Sequence, residues 1–161
     1  MFTKAYEYAK SLKQMGYGKN SEIPICITNI PEFIYMFLAT SLIGAKVNIV
    51  ADWFAEEYLI DIFNKTKSKT IFIDDLSYST IKGAIKKSNI KNIVCFSLTD
   101  SLKDGINPYQ SIDNLFHKFE NNINNIKTDF TGTLLDVNEF LNLGKNFNGK
   151  VAEKVDLDNV M

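Results

Sequence analysis

Ile23-Pro24-Ile25-Cys26-Ile27-Thr28-Asn29-Ile30-Pro31-Glu32-Phe33 joins a short apolar run to the opening of a helix, and the fold turns on this junction. Ile23 to Thr28 is a continuous apolar segment of strand length, the pattern of a buried strand. Asn29 or Ile30 stands where a helix cap belongs, Pro31 fits the first turn, and Glu32 suits the positive end of the helix. The body that follows, Phe33 to Ile43, is apolar on all sides, which predicts a helix covered by protein on most faces. Gly44 is placed to stop it.

The same alternation repeats on both sides. Phe2 to Met15 carries Tyr6, Ala9, Leu12 and Lys13 at helical spacing and ends at Gly16, so a peripheral amphipathic helix is expected. Lys46 to Val50 reads as a second strand. Ala55 to Lys65 reads as a helix with Tyr58, Leu59, Ile62 and Phe63 inward, and Glu56 and Glu57 in its first turn. Thr70 to Ile73 gives a third strand, closed by Asp74-Asp75. Ser79 to Lys87 gives a helix with Ile81, Ala84 and Ile85 on one face and Lys82, Lys86 and Lys87 on the other. Asn92 to Phe96 is a fourth strand.

Strands that read as unbroken Ile/Val/Phe runs are covered on both faces. Alternating strands and helices with right-handed crossovers make a three-layer α/β fold, a doubly wound, mostly parallel sheet of βαβ repeats. Residues 1–161 are expected to form a single domain, with a core βαβ region over 1–97 and an irregular segment over 98–161. Within the latter, one helix is expected near Pro108 to Glu120. A second, near 136–143, would have Asp136 as cap, Glu139 reaching back, Leu135 packing on Phe140, and Gly144 as its end. The tail from Val151 to Met161 has no obvious destination.

Composition sets outer bounds. A chain of 161 residues with 45% hydrophobic and 23% charged residues can bury a sizeable core without disulfides or metals. The 18 basic residues, all Lys, nearly balance 19 acidic ones. That balance, and the lack of the residue that reads phosphate and guanine bidentately, argue against nucleic acid and anionic membranes as partners. The apolar stretch Phe33 to Ala51 is interrupted by Gly44, Lys46 and Asn48, so no membrane span is expected. The start has no signal-peptide pattern, and Cys26 and Cys95 sit singly inside strand-like runs. These features predict a cytoplasmic protein with reduced, buried thiols.

On these residues the segment Glu22 to Phe72 resembles the amino-terminal part of the AMP-forming adenylate ligases, a superfamily that includes acyl-CoA synthetases, peptide-synthetase adenylation domains and luciferases. The resemblance is carried by Ile25-Cys26-Ile27-Thr28-Asn29-Ile30-Pro31-Glu32-Phe33, by Leu42-Ile43-Gly44-Ala45-Lys46-Val47-Asn48, by Glu56-Glu57-Tyr58-Leu59 and by Lys67-Ser68-Lys69-Thr70-Ile71-Phe72. The ordered set at near-family spacing is more specific than any one piece. Asp136 to Gly144 and Gly149-Lys150-Val151 also look like the segment preceding the family's phosphate loop. The chain departs from the pattern at Thr28, where leucine-proline is usual, and at Ile49-Val50-Ala51-Asp52-Trp53-Phe54, which replaces a proline-rich turn.

The resemblance implies a parent enzyme that adenylates a carboxylic acid with ATP and Mg²⁺ and passes the acyl group to the thiol of coenzyme A. The family's Ser/Thr/Gly-rich phosphate loop, ribose-binding aspartate and catalytic lysine have no counterpart in these residues. The expectation is therefore an amino-terminal piece, truncated before the phosphate loop and inactive alone, whose partner is the remainder of its own chain. No catalytic, cofactor-binding or metal residue carries over onto it.

Other constellations read as structural. Gly16-Tyr17-Gly18 precedes a strand and is a turn rather than a phosphate loop. Ser79-Thr80-Ile81-Lys82 lacks the partner motifs of a serine hydrolase. Asp74-Asp75 is expected to cap the next helix rather than bind Mg²⁺, and His117 is taken as a surface residue. Trp53 and Phe54 follow the second strand at the edge where parallel sheets place ligands, and core or interface packing is the favoured role. The alternative function is a stand-alone flavodoxin-like binding or signalling domain, with its ligand at the strand ends near Asn29, Asp52 and Asp74.

Overall fold

The computed structural model describes residues 1–102 and 122–153. In chain order the elements are α1 (Phe2–Gln14), β1 (Glu22–Cys26), α2 (Pro31–Leu42), β2 (Lys46–Ile49), α3 (Glu56–Lys65), β3 (Thr70–Asp74), α4 (Tyr78–Lys86) and β4 (Asn92–Phe96). A 3-10 turn (Asp100–Leu102), helical residues 122–129 (α5), β5 (Thr133–Asp136) and α6 (Val137–Lys145) complete it.

The strands form a five-stranded sheet in the order β2-β1-β3-β4-β5, and every pair is parallel. The expected α/β class, parallel sheet and βαβ crossovers are all present. Successive residues of each central strand face opposite sides. Ile23 and Ile25 of β1, Phe72 of β3, and Val94 and Phe96 of β4 join one core cluster with α1, α2 and α6. Cys26, Ile71, Ile73, Ile93 and Cys95 join the other, with α3, α4 and α5. Both faces being covered explains why the strands read as unbroken apolar runs. β1 pairs with β3 only at Ile25↔Phe72 and Cys26↔Ile73. Pro24, just before, has no N–H to give to a ladder.

Several expectations are corrected. α1 is not peripheral: Ala5, Tyr8, Ala9 and Leu12 are fully buried, and the Tyr8 ring stacks on Phe96 at 5.9 Å. The buried stripe runs one residue ahead of Tyr6, which is half-exposed, because α6 packs on α1 from the far side. Tyr58 is 55% exposed rather than inward, leaning on Phe54 with ring centroids 5.3 Å apart. α2 is covered on most faces, as expected, but one stripe is open, with Ile34 and Phe37 45% and 44% exposed.

The described residues after 97 are more regular than the composition suggests. β5 was not expected, since Thr133-Leu134-Leu135-Asp136 is short and runs directly into a capped helix, yet it pairs with β4 from Asn92↔Thr133 to Cys95↔Asp136. The helix expected near Pro108 to Glu120 lies outside the described residues. The α6 capping box forms as expected: Glu139 N donates to Asp136 Oδ1, and Asp136 N donates to Glu139 Oε2, both at 2.9 Å. Gly144 does not end α6. It lies within the helix, where a Cβ would come within 2.8 Å of the Ser11 backbone nitrogen. The start of the tail also has a destination. Val151 is buried in the α1/α2/α6 cluster, Glu153 N donates to Leu42 O at 2.9 Å, and Lys13 Nζ meets Glu153 Oε1 at 2.6 Å.

Candidate functional site at the carboxyl edge of the sheet

In an open parallel sheet, ligands bind outside the carboxyl ends of the strands, where the strand order reverses. Here that point lies between β1 and β3, where the crossovers depart in opposite directions along the sheet. The residues there are Thr28 and Asn29 after β1, Asp74 and Asp75 at the end of β3, and Ser97 to Ser101 after β4.

Acidic groups tie these loops together. Asp74, fully buried, accepts the Thr28 N–H on Oδ2 at 2.6 Å, and its Oδ1 accepts from Leu76 N at 3.0 Å and Ser77 N at 2.8 Å. It thus bridges β1 to the turn entering α4, rather than capping α4 through its terminal N–H groups. Asp75 turns to the β4 side, accepting from Leu98 N at 3.4 Å and Ser97 Oγ at 3.5 Å. Ser97 Oγ also shares a 2.9 Å hydrogen bond with Thr99 Oγ1, and Ser97 N donates to Asp100 Oδ2 at 2.7 Å. Ser101 Oγ donates to Glu32 Oε1 at the head of α2, while the buried Glu32 Oε2 has no hydrogen-bond partner among the described residues.

The electrostatics follow from burial. Removal from water pushes the Asp75 carboxyl up from 3.8 to about 6, with Asp74 and Asp100 adding like charge against the Leu98 N–H bond. Burial also pushes the Cys26 thiol up to about 12 and raises Cys95 well above the ordinary thiol value. Both are inert, protonated thiols, in keeping with buried reduced cysteines.

Not every position singled out in the sequence comes to this edge as a working group. Asn29 caps no helix, since the N-cap of α2 is Ile30 with no side-chain hydrogen bond. Trp53 is 81% exposed, so it is neither core nor the wall of a closed crevice; its ring meets Phe54 edge-on at 6.4 Å. Ser79 bonds back to Leu76 O at 3.1 Å, an ordinary helix-start contact. His117 lies outside the described residues. Among the described residues no group of three or more His, Cys, Asp or Glu is placed to hold a metal ion. Nor is any described helix long and apolar enough to cross a membrane.

Cavities point away from this edge. One of about 690 Å³, between Lys86, Lys91, Asn92, Phe130 and Thr133, opens at the amino ends of β4 and β5. A recess of about 220 Å³ does touch Asp75, beside Tyr78, Ser79, Lys82 and Asp129. There Asp129 is engaged by Tyr78 Oη at 3.1 Å and Lys86 Nζ at 2.5 Å. The described loops at the carboxyl edge carry no lysine. A nucleoside triphosphate would meet carboxylates already committed to N–H and O–H donors, without cationic side chains to receive it. The described residues therefore do not fit ATP and Mg²⁺. Sequence reasoning missed this carboxylate stitching; Asp74-Asp75 was visible as an acidic strand end, but Thr28, Ser97 and Leu98 reach the pair from loops distant in sequence.

Comparison with known proteins supplies what the geometry leaves open. A family model described as AMP-binding enzyme matches residues 1–124. Among solved structures, the adenylation domain of a carboxylate reductase from Mycobacterium chelonae superposes with a TM-score of 0.67 at 9% identity, over 96% of this chain and 23% of that one. Acetoacetyl-CoA synthetase from Streptomyces lividans gives 0.55 at 14% identity, over 96% and 22%. A luciferase-like enzyme from the mealworm Zophobas morio gives 0.60 at 14% identity, over 98% and 30%. At such identities the likeness is one of fold, and the chain spans under a third of each of these structures. No curated protein sequence matches it.

Proposed function

From the premise that the chain belongs to the AMP-binding enzyme family, we propose that it is the amino-terminal lobe of an adenylate-forming acid–thiol ligase. The whole enzyme would join a carboxylic acid to AMP with release of pyrophosphate, then transfer the acyl group to coenzyme A. The observation that carries this reading is the family match over residues 1–124, coincident with the parallel βαβ frame. ATP, Mg²⁺ and coenzyme A are the cofactors of the proposed whole enzyme, and a small carboxylic acid is its substrate. A cytoplasmic setting is part of the same proposal.

The role of these residues is architectural. Asp74 and Asp75 hold the ends of β1, β3 and β4 at fixed spacing, and the buried faces fix the helices around them. Phosphoryl chemistry of this kind is mostly positioning and charge neutralisation. The cationic groups for it would come from the rest of the polypeptide, so the 161-residue chain is expected to be inactive alone. Carboxylate-dependent exchange of radiolabelled pyrophosphate into ATP tests the reading: a polypeptide carrying this lobe and the family's phosphate loop should catalyse it, and the isolated lobe should not.

One observation supports a second reading. The order β2-β1-β3-β4-β5 is the one flavodoxin-type binding domains share. A stand-alone domain of that kind would bind at the β1/β3 reversal, and a rise in melting temperature with flavin mononucleotide would favour it. The Thr28–Asp74 bond spans that reversal and the loops are acidic, so an anionic flavin finds little to bind.

A further inference from the structure

Asn148-Gly149 is the one Asn-Gly pair in the chain, and it lies between two anchored points. On its amino side the Phe147 ring packs against the α1/α2/α6 cluster. On its carboxyl side Val151 is buried in that cluster, and Glu153 is held by Leu42 O and Lys13 Nζ. Between these points Asn148, Gly149 and Lys150 are exposed and lie outside any helix or strand. Among the described residues nothing hydrogen-bonds to the Asn148 carboxamide or to the Gly149 N–H. A backbone nitrogen that follows an asparagine is a nucleophile within reach of the side-chain carbonyl, and glycine leaves it unshielded because it has no Cβ and turns freely. At Asn20, Asn138 and Asn146 that nitrogen is already committed. Ser21 N donates to Gly18 O at 2.9 Å, Glu139 N to Asp136 Oδ1 at 2.9 Å, and Phe147 N to Gly144 O at 3.1 Å.

We propose that Asn148 is a self-modifying site, converted by solvent water to aspartate and isoaspartate, and that the isoaspartate loosens the chain where Val151 and Glu153 are tied down. This does not rest on the ligase reading. Hydroxide takes the Gly149 amide proton, the nitrogen bonds to Asn148 Cγ, and the Cγ–Nδ2 bond breaks; Nδ2 takes a proton from water and leaves as ammonia. The five-membered cyclic imide that remains takes up one water. Opening at Cγ gives aspartate, and opening at the main-chain carbonyl gives isoaspartate, whose backbone runs through the side-chain methylene. Isoaspartate therefore adds one methylene to the main chain within the three exposed residues between Phe147 and Val151. The extra length falls on the end held by fewer contacts: one buried side chain, one main-chain hydrogen bond and one ion pair.

Peptide mass mapping of the purified chain, incubated at mildly alkaline pH with and without urea, tests the modification. Position 148 should gain the mass of amide-to-acid exchange at a similar rate in both conditions, and in the native chain about 10-fold or more faster than positions 20, 138 and 146. Gly149→Ala, whose Cβ meets only the movable ring of Phe147, should slow the conversion about 10-fold. The two products are separated by elution of their peptides against synthetic standards. Hydrogen exchange at the Glu153 amide reads the tie: it should quicken about 10-fold in the isoaspartate fraction, while Asn148→Asp, with the same charge on an ordinary backbone, should match the parent. Conversion at position 148 no faster than at positions 20 and 146 overturns the modification, as does a Gly149→Ala chain that converts as fast as the parent. Equal Glu153 exchange in the isoaspartate and parent chains overturns the loosening. So does equal quickening in Asn148→Asp, which would trace it to charge alone.

Discussion

Asp75 is the residue with the clearest consequence for stability. Its carboxyl is held at about 6 against an ordinary 3.8, chiefly by burial, so the native chain binds more protons than the unfolded one between those values. Stability should therefore fall as pH rises from about 4 to about 6 and level off above it, by roughly 2–3 kcal/mol if Asp75 acts alone. Asp129 and Glu153, held below the usual carboxylate range by lysines, act in the opposite direction at lower pH. Asp75→Asn should flatten the pH 4–6 slope in urea melts and leave the chain more stable at pH 7; a slope unchanged by the substitution would refute the assignment. Asp136→Ala removes the capping-box acceptor of α6 and should cost about 1 kcal/mol, read as a lower urea midpoint at constant m-value. That cap was legible in the sequence, because a capping box is a local pattern. The Asp75 environment was not, since Leu98 and Ser97 reach it from the next strand.

At the scale of elements, four strands and the helices between them were legible, because each rests on local apolar runs and stop signals. Gly16 and Gly44 do sit beyond helix ends with φ of +89° and +69°, as their positions suggest. Gly144 looked like another stop and is instead a contact point between α6 and α1, a difference set by tertiary packing. Gly144→Ala would press a methyl against the Ser11 and Glu7 backbones, at 2.8 and 3.2 Å, and neither can move without shifting α1. A gain in helix propensity of up to about 1 kcal/mol offsets part of the clash, so a net loss of about 1–2 kcal/mol is expected. A Gly144→Ala variant as stable as the parent in thermal melts would mean the helices are less tightly apposed. β5 was hidden because its pairing partner, β4, lies far back in the sequence. The one open stripe of α2 was not legible, because a helix apolar all round gives no sign of which side lies open.

For the whole molecule, family membership and the parallel frame are the grounds for the proposal of a lobe that shapes an active site whose reacting groups lie elsewhere in the polypeptide. The family resemblance was legible from ordered short motifs in Glu22 to Phe72, and the match over residues 1–124 extends it. The site was not legible, because the described carboxylates at the sheet edge are spent on holding loops together. The most direct measurement is ATP–pyrophosphate exchange by the purified 161-residue chain, with Mg²⁺ and a panel of acetate, octanoate, palmitate and benzoate. Background exchange is the predicted result, alongside a polypeptide carrying the family's phosphate loop that exchanges with at least one acid. Robust exchange by the 161-residue chain itself would contradict the account.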